Sequence, residues 1–243
     1  MAYRRVALVT GADTGIGRAI AERFLHDGYA VGFVTRERDA EAAAELAKLG
    51  ELHEAWGDLE DPKTPLRIVA DVAEHYGRLD VLVNNAGLST AKPALELTAD
   101  DFDQTFAVDV RAAFLASQAA ARVMGEGAVI VNITSVHEHV PRPGFLVYAA
   151  AKAALGMLTR GFALELAPKI RVVAVAPGAI ATERNREADE LVPEIPLGRP
   201  GEPEEVAALV GWLCSPQASY VTGTSVLVDG AMAQQVVTKP AGR

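Results

Sequence analysis

Tyr148 and Lys152 stand four residues apart in YAAAK, and Ser135 closes the apolar run AVIVNITS. One helical turn separates such positions, so a phenol and an ammonium at this spacing project from one helix face. A free phenol ionises near pH 10, at about 10, so a tyrosine acts as a base at neutral pH only where a cation stabilises its phenolate. Lys152 is placed to supply that charge, and the Ser135 hydroxyl to hold a substrate oxygen beside the phenol. Such a set moves a proton to or from an alcohol or carbonyl oxygen. Alone, the spacing equally describes a packing tyrosine and a surface lysine on one amphipathic helix. What precedes it in the chain decides.

Two upstream elements would position this chemistry. VALVT over 6–10 is an apolar, β-branched run of the kind that makes a buried parallel strand. It enters the glycine turn Gly11-Ala12-Asp13-Thr14-Gly15-Ile16-Gly17 and then the helical RAIAERFLHDG. Strand, glycine turn and helix make the phosphate-binding unit of a dinucleotide fold, with the pyrophosphate at the helix N-terminus. The spacing is G-x-x-x-G-x-G rather than the usual G-x-G-x-x-G. VLVNNAG over 81–87 is a second buried strand, and its polar end falls where open parallel sheets bind ligands.

The rest of the chain alternates in the same way. Strands are predicted near 6–10, 30–35, 51–56, 79–84, 128–134, 170–176 and 225–229. Helices are predicted near 15–26, 39–49, 63–76, 100–123, 147–167 and 203–213. Alternation with Ala-rich helices implies an α/β fold, a doubly wound parallel sheet with helices on both faces, in a single domain over 1–243. The composition is 50% hydrophobic and 23% charged, which supports a large core and argues against disorder. Net charge is −9 and no basic stripe occurs, so nucleic acid is not expected as a partner. No apolar run reaches membrane-spanning length, and MAYRRVALVTG lacks the cleavage region of a signal peptide. Cys214 is the one cysteine. These features lead us to expect a cytoplasmic protein with no membrane partner and no metal site.

TGADTGIG, NNAG, Ser135 and YAAAK together resemble the short-chain dehydrogenase/reductase family, and the similarity runs along essentially the whole chain. Pro177-Gly178 with Thr182, Tyr220-Val221-Thr222-Gly223 and Val228-Asp229-Gly230 fit it as well. The resemblance implies a Rossmann-type NAD(P)-dependent oxidoreductase. Ser135 would steady the reacting oxygen, Tyr148 serve as acid and base, and Lys152 ease deprotonation of the tyrosine while holding the nicotinamide ribose. A fourth catalytic position, an asparagine in the family, falls on Asp109 in FAVDVRAAF. An ionised aspartate only accepts hydrogen bonds and brings a negative charge toward Lys152. It would stabilise the ammonium and offset its pull on the phenol, unless Asp109 turns away toward Arg111 or a helix terminus. The cofactor contacts implied are Gly11, Asp13, Thr14, Gly15, Ile16, Gly17, Thr35, Arg36, Asp58, Leu59, Asn85, Ala86, Gly87, Tyr148, Lys152, Pro177, Gly178, Ile180 and Thr182.

Cofactor choice turns on Val34-Thr35-Arg36, at the end of the second strand. An NAD enzyme usually carries an acid here for the ribose hydroxyls. Thr35 is neutral, and the Arg36 guanidinium offers a planar fork suited to phosphate. NADP is therefore expected to be preferred, with NAD possible, since Asp13 and Glu37 add negative charge nearby. For substrate, Ser135-Val136-His137-Glu138 with Pro141, the Pro177–Ile180 segment with Asn185, and Ile195–Gly198 resemble glucose 1-dehydrogenases, as does the tail AGR. That resemblance implies substrate contacts from Ser135, His137, Tyr148 and Asn185. Ser89 departs from it, standing where that group carries an acid.

Three functions are consistent with these residues. They are an aldose or polyol dehydrogenase, a ketone or 3-oxoacyl thioester reductase docking its carrier on Arg142, Arg184, Arg186 and Arg199, and a non-catalytic NADP-binding sensor. Residues 183–203 resemble the family's substrate lid, and an ordinary polar loop is the other reading. A homotetramer is expected through the Ala-rich segments 112–121 and 149–166.

Overall fold

Runs of β-branched and small apolar residues make the strands. The computed structural model describes residues 4–183, 185 and 188–234. In it, β1 (Val6–Thr10), β2 (Ala30–Thr35), β3 (Leu52–Trp56), β4 (Val81–Asn84), β5 (Ala128–Ile133), β6 (Ile170–Pro177) and β7 (Ser225–Val228) form one sheet. β1, β2, β4 and β5 are buried along their whole length, so their sequences show no polar alternation. The order is β3-β2-β1-β4-β5-β6-β7, and every pair is parallel.

Helices cover both faces. On one lie α1 (Gly15–His26), α2 (Ala40–Leu46) and α7 (Pro203–Leu213), whose Phe24, Leu46 and Leu213 pack with Phe33 and Val83. On the other lie α3 (Lys63–Tyr76), α5 (Ala113–Val123) and α6 (Leu146–Leu166), whose Ile68, Val72, Ala120 and Ala163 pack with Leu8 and Ile130. The doubly wound reading of the sequence therefore holds. β1 is flanked by β2 on one side and β4 on the other. Their connections leave in opposite directions and open a crevice beyond the strand ends.

The helix predicted over 100–123 is not continuous. α4 (Ala99–Phe106) starts at a capping box between Thr98 and Asp101, then a π turn spans Ala107–Ala112 before α5 begins. Asp109 sits in that turn. Elsewhere the differences are at ends: α2 stops at Leu46 and β4 starts at Val81. The expected lid carries a 3₁₀ segment, Ala188–Glu194, and an isolated bridge between Ile180 and Gly201.

Buried side-chain hydrogen bonds fix the register beneath the crevice. Asn84 Nδ2 donates to Asn132 Oδ1 at 2.8 Å and to Ser117 Oγ at 3.1 Å, and Asn132 Nδ2 donates to Thr159 Oγ1 at 2.8 Å. This chain of bonds joins β4, β5 and α6, so the helix that carries Tyr148 cannot slide along the sheet without leaving buried amides unpaired.

Candidate active site

Asn85 ties the two upstream loops together. Its Nδ2 donates to the carbonyls of Thr10 and Gly11, each at 2.9 Å, while Thr10 Oγ1 accepts from the backbone N–H groups of Asn85 and Ala86. Gly17 lies against this knot, and a Cβ there would collide with the Gly11 carbonyl and the Asn85 amide. No larger residue fits while the loops keep this approach. α1 begins at Thr14 without a side-chain cap and without an acid in its first turn. Its first N–H groups thus remain open to an anion in the adjoining cleft.

That cleft has a volume of about 1060 Å³. It is at the upper end of the ~300–1,000 Å³ typical of small-molecule sites, as a dinucleotide plus a small substrate requires. The reaction set lies along one wall. Ser135 lies two residues beyond β5 at the start of a 3₁₀ turn and is buried, with its Oγ accepting from the His137 N–H at 3.1 Å. Tyr148 and Lys152 come from the first two turns of α6, and Lys152 Nζ lies 5.5 Å from the centre of the Tyr148 ring.

Lys152 is buried and doubly committed. Nζ donates to the Ile133 carbonyl at 3.2 Å and lies 2.8 Å from Asp109 Oδ1, with side-chain exposures of 4% and 0% for the pair. Burial pulls its pKa down, but the Asp109 carboxylate and the neighbouring Tyr148 outweigh that and hold it above the ordinary lysine value. Asp109 Oδ2 accepts from the Leu88 N–H at 2.8 Å. The carboxylate thus joins the loop after β4 to the lysine of α6. It does not turn toward Arg111, whose guanidinium donates to the Glu60 carbonyl instead.

A model of the family described as "Enoyl-(Acyl carrier protein) reductase" matches residues 11–233. The chain is 45% identical over 241 residues to the oxidoreductase YohF of Escherichia coli (strain K12), covering 93% of this chain and 94% of the relative. The chain belongs to the short-chain dehydrogenase/reductase family. It is an NAD(P)-dependent oxidoreductase with that family's Rossmann-type fold. Glucose 1-dehydrogenase 2 of Bacillus subtilis (strain 168) is 37% identical over 94% of both chains. Among solved structures, acetoin dehydrogenase from Enterobacter cloacae superposes with a TM-score of 0.91 at 43% identity, covering 98% of this chain and 99% of that one. A short-chain dehydrogenase from Burkholderia cenocepacia in complex with NADP gives 0.89 at 40%, covering 94% and 97%.

Within this oxidoreductase every cofactor and substrate position named from the sequence lines the one cleft, from Gly11 and Thr35 to Pro177 and Thr182, with Ser135, His137 and Asn185. Asp109 is the exception. It lies behind Gly87, where an added Cβ would meet its Oδ1 at 2.7 Å and Lys152 Nζ at 3.1 Å. Beyond the end of β2, Arg36 Nη2 donates to Asp58 Oδ2 at 2.9 Å and lies 3.8 Å from Glu60. The residues present fit a dinucleotide: an uncapped helix start, a glycine floor, and an arginine at the end of β2.

The structure adds detail to three expectations. Asn185 lines the cleft, but its Nδ2 donates to the Ile180 carbonyl at 3.1 Å, so its donors serve the loop first. Arg199 donates through both terminal nitrogens to Glu205 at 2.8 Å, an exposed pair that holds that carboxyl down at about 2. Arg142 lies 3.9 Å from Glu194 and over the Phe145 ring, while Arg184, Arg186 and the AGR tail fall outside the described residues. Sequence reasoning missed Phe145, Leu191 and Met232, which also line the cleft. Phe145 caps α6 with its ring edge-on to Tyr148 at 6.3 Å, and its place three residues before YAAAK was the signal that could have found it.

Proposed function

We propose that the enzyme interconverts an alcohol and a carbonyl on a small substrate carrying a second hydroxyl beside the reacting carbon. The observation that carries this reading is His137. Its Nδ1 lies 3.0 Å from the Val140 carbonyl, which only accepts, so Nδ1 holds the proton and Nε2 of the neutral ring is an acceptor. Burial, aided by Arg142, pushes the His137 pKa below the ordinary imidazole value, which keeps that acceptor in place at neutral pH. A ring lining the cleft beside Tyr148 in this state favours a substrate hydroxyl that can donate.

Ser135 holds the reacting oxygen, and Tyr148 gives it or takes from it a proton. Lys152 supplies the positive charge that steadies the phenolate. The nicotinamide, when bound, accepts or supplies the hydride. Gly11, Thr14, Gly15, Ile16 and Gly17 hold the pyrophosphate, with Asp13 and Thr35 beside them and Asp58 and Leu59 at the adenine. Asn85, Ala86, Gly87, Pro177, Gly178, Ile180 and Thr182 flank the nicotinamide half.

Two substrate classes meet this description. An aldose is supported by the likeness to glucose 1-dehydrogenase 2. A shorter α-hydroxyketone or vicinal diol is supported by the likeness to acetoin dehydrogenase and by Leu88, Phe145, Leu191 and Met232, apolar where a sugar would present hydroxyls. We favour the second. A panel of aldoses, polyols, acyloins and simple ketones, followed by NADPH absorbance in both directions, tests it. Turnover of glucose above that of every acyloin would overturn the preference, and turnover of simple ketones alone would overturn the hydroxyl requirement.

NADP is the preferred cofactor in this reading, because Arg36 can leave its exposed carboxylates for a 2′-phosphate, and NAD is accepted beside so many acids. Assembly as a homotetramer is supported by Met157 and Leu164, 61% and 83% exposed on α6. Light scattering tests that, and a monomeric mass would refute it. Among the described residues no helix is long and apolar enough to cross a membrane. A cytoplasmic setting remains a proposal resting on the lone Cys214 and the acidic composition.

A further inference from the structure

Asp109 and Lys152 form the one buried ion pair at the reaction centre, and its charges cancel at a place that matters for the cofactor. Lys152 alone would leave a full positive charge in the wall of the cleft. An oxidised nicotinamide is a cation and a reduced one is neutral, so an uncompensated ammonium would disfavour the oxidised form only. Asp109 removes that asymmetry. Its Oδ1 lies 2.8 Å from Nζ in a contact that is electrostatic rather than aligned as a hydrogen bond. Oδ2 is fixed by the Leu88 N–H.

The pair lies directly behind the Gly87 wall of the cleft. Gly87 lines the cleft and has no side chain to cover Oδ1 and Nζ, so only its backbone stands between them and the bound molecule. Ile133 contributes a carbonyl to Nζ, and Tyr148 is the other ionisable group in contact. We infer that Asp109 is a positioning residue that sets the preference between oxidised and reduced cofactor, by cancelling the Lys152 charge so that NADP⁺ is held about as readily as NADPH. The inference rests on the NAD(P) reading of the site.

Removing the carboxylate charge should weaken NADP⁺ at least about ten-fold relative to NADPH, the size expected of one unit charge through an effective dielectric of about 20 even at a separation of about 12 Å. The experiment is calorimetric titration of the full chain with NADP⁺ and with NADPH at pH 6. It compares wild type with Asp109→Asn, which keeps an acceptor for Leu88 but not the charge. A purely structural role would change both affinities together and leave their ratio alone. Should Asp109→Asn fail to fold, Asp109→Ser removes the same charge with a smaller side chain and should weaken NADP⁺ relative to NADPH in the same direction. Ratios within two-fold of wild type in the folded variants would overturn the inference. Binding of neither form by wild type would instead overturn the nicotinamide reading, and this inference with it.

Discussion

The two ends of the cleft each hold an ion pair of almost the same length in opposite surroundings. Asp109–Lys152 spans 2.8 Å with side chains 0% and 4% exposed, whereas Arg36–Asp58 spans 2.9 Å with side chains 65% and 45% exposed. Distance alone would rank them as equals. Burial separates them, because charges removed from water cannot lose a partner without a large penalty, while exposed ones exchange partners with water at little cost. The buried pair is therefore fixed machinery, and the exposed pair is an arm that can change its grip.

The comparison breaks most visibly where the fixed end does chemistry. Tyr148→Phe should lower turnover about 10²–10⁴-fold while both cofactor forms still bind, because the phenol is the proton-transfer group and its ring packing survives. Unchanged turnover on the best substrate would remove the tyrosine from the mechanism. Lys152→Ala strands a buried carboxylate and should cost about 3–5 kcal/mol in urea denaturation, along with cofactor affinity. A loss below about 1 kcal/mol would place the pair in the same class as the exposed one.

Arg36→Ala should leave stability within about 0.5 kcal/mol, as surface changes do. It should still raise the KM for NADP about ten- to hundred-fold more than that for NAD, since only NADP offers a phosphate. Equal effects on both cofactors would show that the arm does not reach it. The smallest effect is a pH dependence. Lys152 has a raised pKa, so the stability its charge confers is present below the unfolded value and is lost as pH rises through the folded one. Asp109→Asn removes the partner while burial still pulls the lysine down. In that variant the alkaline loss of stability should shrink or reverse, while the fall in oxidation rate begins at lower pH than in wild type, and superimposable profiles would refute the coupling.

Much of this architecture was legible because burial on both faces writes strands as unbroken apolar runs, as in VALVT and VLVNNAG. The reaction set was legible for a related reason: Tyr148 and Lys152 share one helix, and their spacing alone fixes their relation. Asp109 shows the opposite case. Its position was readable, but its choice of Lys152 over Arg111 depends on how two distant helices pack, which no local spacing records. Arg36 likewise found Asp58 and Glu60 across neighbouring strand ends. The break in the 100–123 helix left no mark either, since AVDVRA has the composition of an ordinary helix and differs only in which carbonyls its amides reach.

That break carries one more consequence. A π turn closes its hydrogen bonds one residue later than an α-helix, so the span from Ala107 to Ala112 is defined by its count of residues as much as by their identity. Each residue of a regular helix turns the chain by about 100°. Deleting one residue here would close the segment to α pitch and leave α5 in nearly the same phase, with the buried Ala113, Ala116 and Ala120 still on the sheet. What would change is the inside of the turn, where Asp109 would leave the direction that brings it to Lys152 and the Leu88 N–H. The segment behaves like a slack link, which keeps both flanking helices in place and re-aims only what lies between them.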